Sequence, residues 1–176
     1  AVMHADGLFN FPNFRAFEKS YQLLTQVAGR AGRTKAQGEV LIQTFQPQHR
    51  VIQDVITENY NNLYEQETAQ RSHFHYPPYY RMIKLIFKSK DYNRLNEAAD
   101  WMGTYLKQIF GRNILGPEFP GIARIRNQYI KHIIIKIPPE QSLTKTKSYL
   151  LNGIERYDAV SKFKSVRLNI DVDPYA

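Results

Sequence analysis

The chain has 176 residues, 43% hydrophobic and 23% charged, with a formal net charge of +8 and no cysteine. This composition belongs to an ordinary globular protein; it excludes disulfides and thiolate zinc sites, and no apolar run approaches the roughly 18 residues of a membrane span. Residues 1–70 carry 6 Lys and Arg against 7 Asp and Glu, whereas residues 71–176 carry 18 against 9, so the second part holds all the basic excess. Such a field attracts polyanions, nucleic acid above all, and serves solubility equally well. A cytoplasmic location is the expectation.

AVMHADGLFNFPNF (1–14) reads as the tail of a strand followed by a loop. From Phe14 to about Ala28, apolar residues at Phe14, Phe17, Tyr21, Leu24 and Ala28 keep helical spacing, and Gly29 and Gly32 are expected to end that helix. GEVLIQTF (38–45) sets Val40, Ile42 and Thr44 against Leu41 and Gln43, which predicts a buried strand. Residues 49–74 read as helix with a break near Asn59 to Asn62. HYPPYYR (75–81) holds paired prolines, which exclude a helix and favour an extended crossing. The charge balance changes nearby, so the predicted boundary falls at 71–76, dividing the chain into 1–71 and 72–176.

The second part has cleaner periodicity. RMIKLIFK predicts a strand with Ile83, Leu85 and Phe87 on one face. A helix over 92–110 carries a stripe of Leu95, Ala98, Ala99, Met102, Leu106 and Phe110. Residues 121–137 hold two strands with a turn near Asn127-Gln128. Ser142 can cap a helix with Leu143, Leu150, Ile154 and Tyr157 along one side. SVRLNIDVDP alternates Val166, Leu168, Ile170 and Val172 against Arg167, Asn169 and Asp171. The order β-α-β-β-α-β is the split-βαβ, ferredoxin-like arrangement, a four-stranded antiparallel sheet with two helices on one face. If the helices cover Ile83, Leu85, Phe87 and Val166, the other face shows Lys84, Lys88, Lys136 and Arg167. Ile134 and Lys136 stand where base-stacking aromatics would be needed, so this face suits phosphate contact or a protein partner.

TQVAGRAGRTKAQGEV (25–40) packs two glycines and two arginines into five residues. It is no P-loop, because Arg33 follows Gly32 and Lys35 comes after Thr34, and only G-x-x-G of the dinucleotide fingerprint is present. If the helix persists through Gly29, Gln26, Arg30 and Arg33 lie at roughly 0°, 40° and −20° around it. An amide and two guanidiniums aimed together suit a triphosphate bound on a facing domain, and the glycines let that surface approach. They equally suit a basic helix end that favours the C-terminal dipole. Spacing leaves both open. His73, His75 and Tyr76 fall short of a zinc ligand set, so no metal site is expected. Asp171 and Asp173 are expected to end the last strand and accept hydrogen bonds.

QVAGRAGR (26–33) resembles motif VI of superfamily 2 helicases, Q-x-x-G-R-x-x-R. The run from ADGLFNFPNFRAFEKSYQLL through that motif, then GEVLIQTFQP, RSHFHYPPYYR, ILGP and the terminal DVDP, resembles in order the C-terminal part of the primosomal protein N′ family of replication-restart helicases. Asn13 stands where the family pattern has Asp. The resemblance implies the end of a second, RecA-like helicase lobe over 1–71 and the family's C-terminal domain over 72–176, an α/β (α+β) chain overall. It implies part of an ATP-dependent 3′-to-5′ DNA helicase, inactive as this fragment alone. Arg30 and Arg33 would be catalytic, and Gln26, Gly29, Arg30 and Arg33 would meet the phosphates of ATP held with magnesium mainly by the other lobe. The family's zinc lies in an insert outside this stretch. Implied partners are forked and single-stranded DNA, contacted through Lys84, Lys88, Lys136 and Arg167, the single-stranded DNA-binding protein, and the primosome and replicative helicase-loading proteins. Implied location is nucleoid-associated. The family's basic contact after the strand-end proline is not carried over, since Pro138-Pro139 is followed by Glu140. A stand-alone basic binding module with a helical arm is the competing reading. A truncated lobe would leave apolar surface around Val2, Phe9 and Phe11.

Overall fold

The computed structural model describes residues 1–31 and 39–174. The chain forms two compact units, Ala1–Phe74 and a second from His75 onward, together an α+β fold.

The first unit is helical: α1 (Asp6–Phe9), α2 (Ala16–Ala31), α3 (Arg50–Ile56) and α4 (Tyr60–His73). Its core joins Phe9, Tyr21, Leu24, Val51, Ile52, Val55 and Leu63. The caps follow from short polar side chains that satisfy helix N–H groups: His49 accepts from the Val51 N–H and Asn59 from the Asn62 N–H. The break between α3 and α4 falls at 57–59. Glu67 is buried between Arg50 at 3.0 Å and Arg71 at 3.7 Å, and Arg71 also meets Glu18 at 2.7 Å, which ties α2, α3 and α4 together. Burial holds the Glu67 carboxyl above its ordinary pKa despite both guanidiniums. Asn13 accepts from the Arg15 N–H at 2.8 Å, so its amide closes a local turn.

Three expectations change here. α2 does not stop at Gly29 but runs to Ala31. A glycine ends a helix by turning left-handed, and Gly29 keeps a negative φ among good helix formers. The segment from Glu39 makes only an isolated parallel bridge, Val2 to Ile42; Gly38 lies outside the described residues. Alternation survives, with Val40, Ile42 and Thr44 half-buried, but Leu41 is 71% and Phe45 84% exposed, because a strand needs a ladder partner to bury its faces. Phe9 is buried, its ring stacked on His49 at 4.1 Å, whereas Phe11 is exposed.

The second unit holds β1 (Arg81–Ser89), α5 (Tyr92–Phe110), β2 (Ile114–Glu118), β3 (Arg124–Ile125), β4 (Gln128–Ile137), α6 (Leu143–Ala159) and β5 (Arg167–Val172). The antiparallel sheet runs β2-β4-β1-β5, with β3 pairing β4. Ile83, Leu85, Phe87, Ile133, Ile135 and Ile137 form one face, against which the α5 stripe and Leu150 and Tyr157 of α6 pack. Ser142 caps α6, accepting from the Lys145 N–H. The strand β2 was not anticipated, because Gly116 and Pro117 hide its pattern. A Cβ at Gly116, whose φ is +95°, would lie 2.6 Å from the His132 carbonyl oxygen, so the close approach of β2 to β4 requires glycine. The β3–β4 turn is Arg126-Asn127, both left-handed at φ 48° and 64°. β5 is an edge strand; Ile170 and Val172 are exposed although they alternate with the polar residues as expected. No helix among the described residues is long and apolar enough to cross a membrane.

Candidate functional site

Two places carry the residues singled out above. The first is the end of α2. Because the helix continues through Gly29, Gln26 and Arg30 sit one turn apart and exposed, on the side away from the buried Tyr21 and Leu24. A Cβ on Gly29 would meet nothing within 4 Å among the described residues. Gly32 and Arg33 lie outside the described residues. The exposed amide and guanidinium fit a phosphate group, since a guanidinium fork matches phosphate oxygens.

The second place is the sheet face that carries neither α5 nor α6. In the ladder Lys84 lies opposite Ile134 and Asp171, Lys88 opposite Ile130 and Arg167, and Lys136 opposite Met82. Directly paired residues share a face and alternate residues return to it. Lys84, Lys88, Lys136 and Arg167 are therefore together on one side. Arg167 is exposed and the three lysines are half-buried. The Lys136 ammonium lies 3.9 Å from the centroid of the Tyr76 ring, and burial lowers its pKa.

His132 occupies the middle of this face, opposite Ile86 and Glu118. Burial, and then the charges of Lys84 and Lys88, push its pKa down to about 4. The sequence reading missed it, although the alternation in Lys131-His132-Ile133-Ile134-Ile135-Lys136 places His132 and Lys136 on one side. Lys131 points the other way, 8% exposed, with its ammonium 3.3 Å from Asp100 on α5. Asp171 and Glu118 are the carboxylates on the basic face. On this face β1 and β4 present cations among aliphatic side chains and no ring of Phe, Tyr or Trp, since Phe87 and Tyr129 lie on the other side.

The histidines at the boundary are engaged with aromatics. His73 meets Phe74 edge-on at 4.8 Å and His75 stacks on Tyr80 at 4.4 Å. Among the described residues no group of three or more His, Cys, Asp or Glu could hold a metal ion. The Asp173 N–H donates to the Met82 carbonyl at 2.8 Å, closing the end of the sheet.

An antiparallel sheet backed by two helices on one face and carrying Lys84, Lys88, Lys136 and Arg167 on the other defines a basic α+β module. Residues 72–175 match the family model of the primosomal protein N C-terminal domain, and the chain belongs to that family. It is 37% identical over 176 residues to the replication restart protein PriA of Bacillus subtilis, covering 99% of this chain and 22% of that protein. The Synechocystis protein of the same name is 37% identical over 175 residues, 98% of this chain and 20% of that one. That of Haemophilus influenzae is 33% identical over 180 residues, 99% and 23%. The chain thus spans about a fifth of the length of these relatives, and corresponds to their C-terminal part.

Proposed function

We propose that this chain acts in replication restart, as the C-terminal part of an ATP-dependent 3′-to-5′ DNA helicase that reloads the primosome at stalled forks. The first unit is then the end of a RecA-like lobe and the second a docking domain for DNA. The observation that carries the reading is the register that brings Lys84, Lys88, Lys136 and Arg167 onto a helix-free sheet face. Cations arranged along a surface bind the phosphate backbone without reading sequence. Forked and single-stranded DNA are the substrates, with the single-stranded DNA-binding protein and helicase-loading proteins as partners.

The helix end serves the nucleotide. Gln26 and Arg30 are exposed together, and the motif's second arginine is Arg33. In this reading their N–H groups would donate to phosphate oxygens of ATP, which would be held together with magnesium on another lobe, with Gly29 allowing close approach. Bound there, ATP would supply the γ-phosphoryl group whose transfer to water drives translocation. The arginines stabilise negative charge as it develops, which is where fixed guanidiniums act most strongly.

The basic face is tested by the salt dependence of forked-DNA binding to the intact chain, with anisotropy as readout. Each phosphate neutralised on duplex contributes about −0.9 to the slope of log affinity against log salt. Lys84→Gln with Lys88→Gln should make the slope shallower by about 1.8. An unchanged slope would remove the face from the DNA contact.

A further inference from the structure

Three separate segments converge at one end of the sheet in the second unit. Tyr92 opens α5, Phe119 follows β2, and Tyr129 lies near the start of β4, opposite Ser89, the last residue of β1. The rings of Tyr92 and Phe119 are parallel within 2° at 5.7 Å between centroids, and Tyr129 meets Tyr92 edge-on at 5.3 Å. Tyr92 remains 48% and Phe119 37% exposed. Buried rings of this kind need no further explanation, but a stacked pair held at the surface presents π area to solvent.

Cations surround the rings. The Arg124 guanidinium lies 4.8 Å from the Tyr129 centroid and is held there by a hydrogen bond to Asn127. The Lys131 ammonium is 5.1 Å from the Phe119 centroid but is itself buried and paired with Asp100 at 3.3 Å, so the accessible cations are those of Arg124 and Arg126. Arg126 occupies the first position of the β3–β4 turn at φ 48°. Glycine, asparagine and aspartate suit that position and arginine does not, so the turn keeps a long cation at its tip against backbone preference. An open cleft of about 550 Å³, lined by Ser89, Lys90, Asp91, Arg94, Gln128 and Ser165, lies at the same end, with Arg94 paired to Asp91 at 3.4 Å. The Lys88–Arg167 pair of the basic face lies at the same end of the sheet but on its other side, since Tyr129 is opposite Ser89 and alternates with Ile130.

We infer that Tyr92 and Phe119, with Arg124 and Arg126, form a stacking platform for the unpaired bases of single-stranded DNA. The inference rests on reading the basic face as a phosphate contact and adds a base contact at its end. Flat rings flanked by cations complement a polyanion whose flat bases are free, and duplex hides those base faces. Aromatic stacking of this kind is indifferent to sequence, because every base has a π face. The site would place the junction between duplex and single strand at the end of the sheet, with duplex phosphates on the lysines of one face and the unpaired strand passing round the sheet's end to the rings on the other.

The test uses the whole chain and two labelled strands of about ten nucleotides, one oligothymidylate and one abasic at every position but equally charged. The chain should bind the thymidylate strand about tenfold more tightly, with the same salt slope on both. Tyr92→Leu with Phe119→Leu, which keeps apolar bulk, should bring the thymidylate strand to the abasic level and leave abasic binding unchanged. Tyr92→Trp should retain the preference, which separates loss of stacking from loss of folding. Lys84→Gln with Lys88→Gln should weaken both strands alike. Equal affinity of the wild-type chain for the two strands, or a preference that survives the double leucine substitution, overturns the platform and leaves the basic face standing. Binding of neither strand at low salt overturns both.

Discussion

Gly29→Ala separates what this residue does within the chain from what it does for a facing surface. Gly29 lies in the last turn of α2 with right-handed backbone, and a Cβ built there meets nothing within 4 Å among the described residues. Glycine inside a helix costs about 0.5–1 kcal/mol relative to alanine, through the freedom it loses on folding. A last-turn position realises the lower part of that range, so the substitution should stabilise the first unit by about 0.5 kcal/mol. For a unit of this size, about 0.5 kcal/mol raises the melting temperature by roughly 2–4 °C. Far-UV circular dichroism of the intact chain during a thermal scan measures it. In the helicase proposed above, the added methyl would intrude on the surface that approaches Arg30, and a displacement of about 1 Å there would lower ATP turnover on the order of a hundredfold. The expected pair of results is a more stable chain and a slower enzyme. A lowered melting temperature would refute the helical account of Gly29. Full turnover in a stabilised protein would refute the close approach.

In the full-length protein, Arg33→Ala should lower steady-state ATP turnover on the order of a thousandfold while fluorescent-nucleotide affinity falls far less, and Arg33→Lys should restore little. Near-normal turnover in a folded variant would remove the catalytic role of Arg33. His132 titrates in the fold at about 4, below the ordinary 6.5, so the folded state prefers the neutral ring. Its contribution to stability is complete above about pH 6.5 and is lost as pH falls toward 4. Lys84, Lys88 and the opposing Glu118 face it, and urea midpoints across that window should fall less steeply for His132→Gln than for the wild-type chain. Parallel curves would show that His132 does not couple to folding.

Periodicity within one element was legible in the sequence. The α5 stripe from Leu95 to Phe110 and the inward set Ile83, Leu85 and Phe87 follow directly from the 3.6- and 2-residue repeats, and the Ser142 cap from a short hydroxyl before an apolar run. The family, too, could be read from QVAGRAGR and the blocks around it. Elements whose existence depends on a distant partner could not be read. β2 forms because β4 offers it an edge, and its glycine is required by the His132 carbonyl rather than by any local pattern. The segment at 39–45 has strand alternation, yet its strand pairing is the single bridge of Ile42 to Val2, with Ala5 and Asp6 making further hydrogen bonds to it. Gly29 has the composition of a helix stop and remains helical, because a cap is decided by backbone conformation after the helix and not by residue type. The sheet register assembled the lysines around His132, and the fold brought Tyr92, Phe119 and Tyr129 together from three segments. Alternation assigns a residue to a side of its own strand, but which strands are neighbours, and at what offset, is settled only when the hydrogen-bond ladders close.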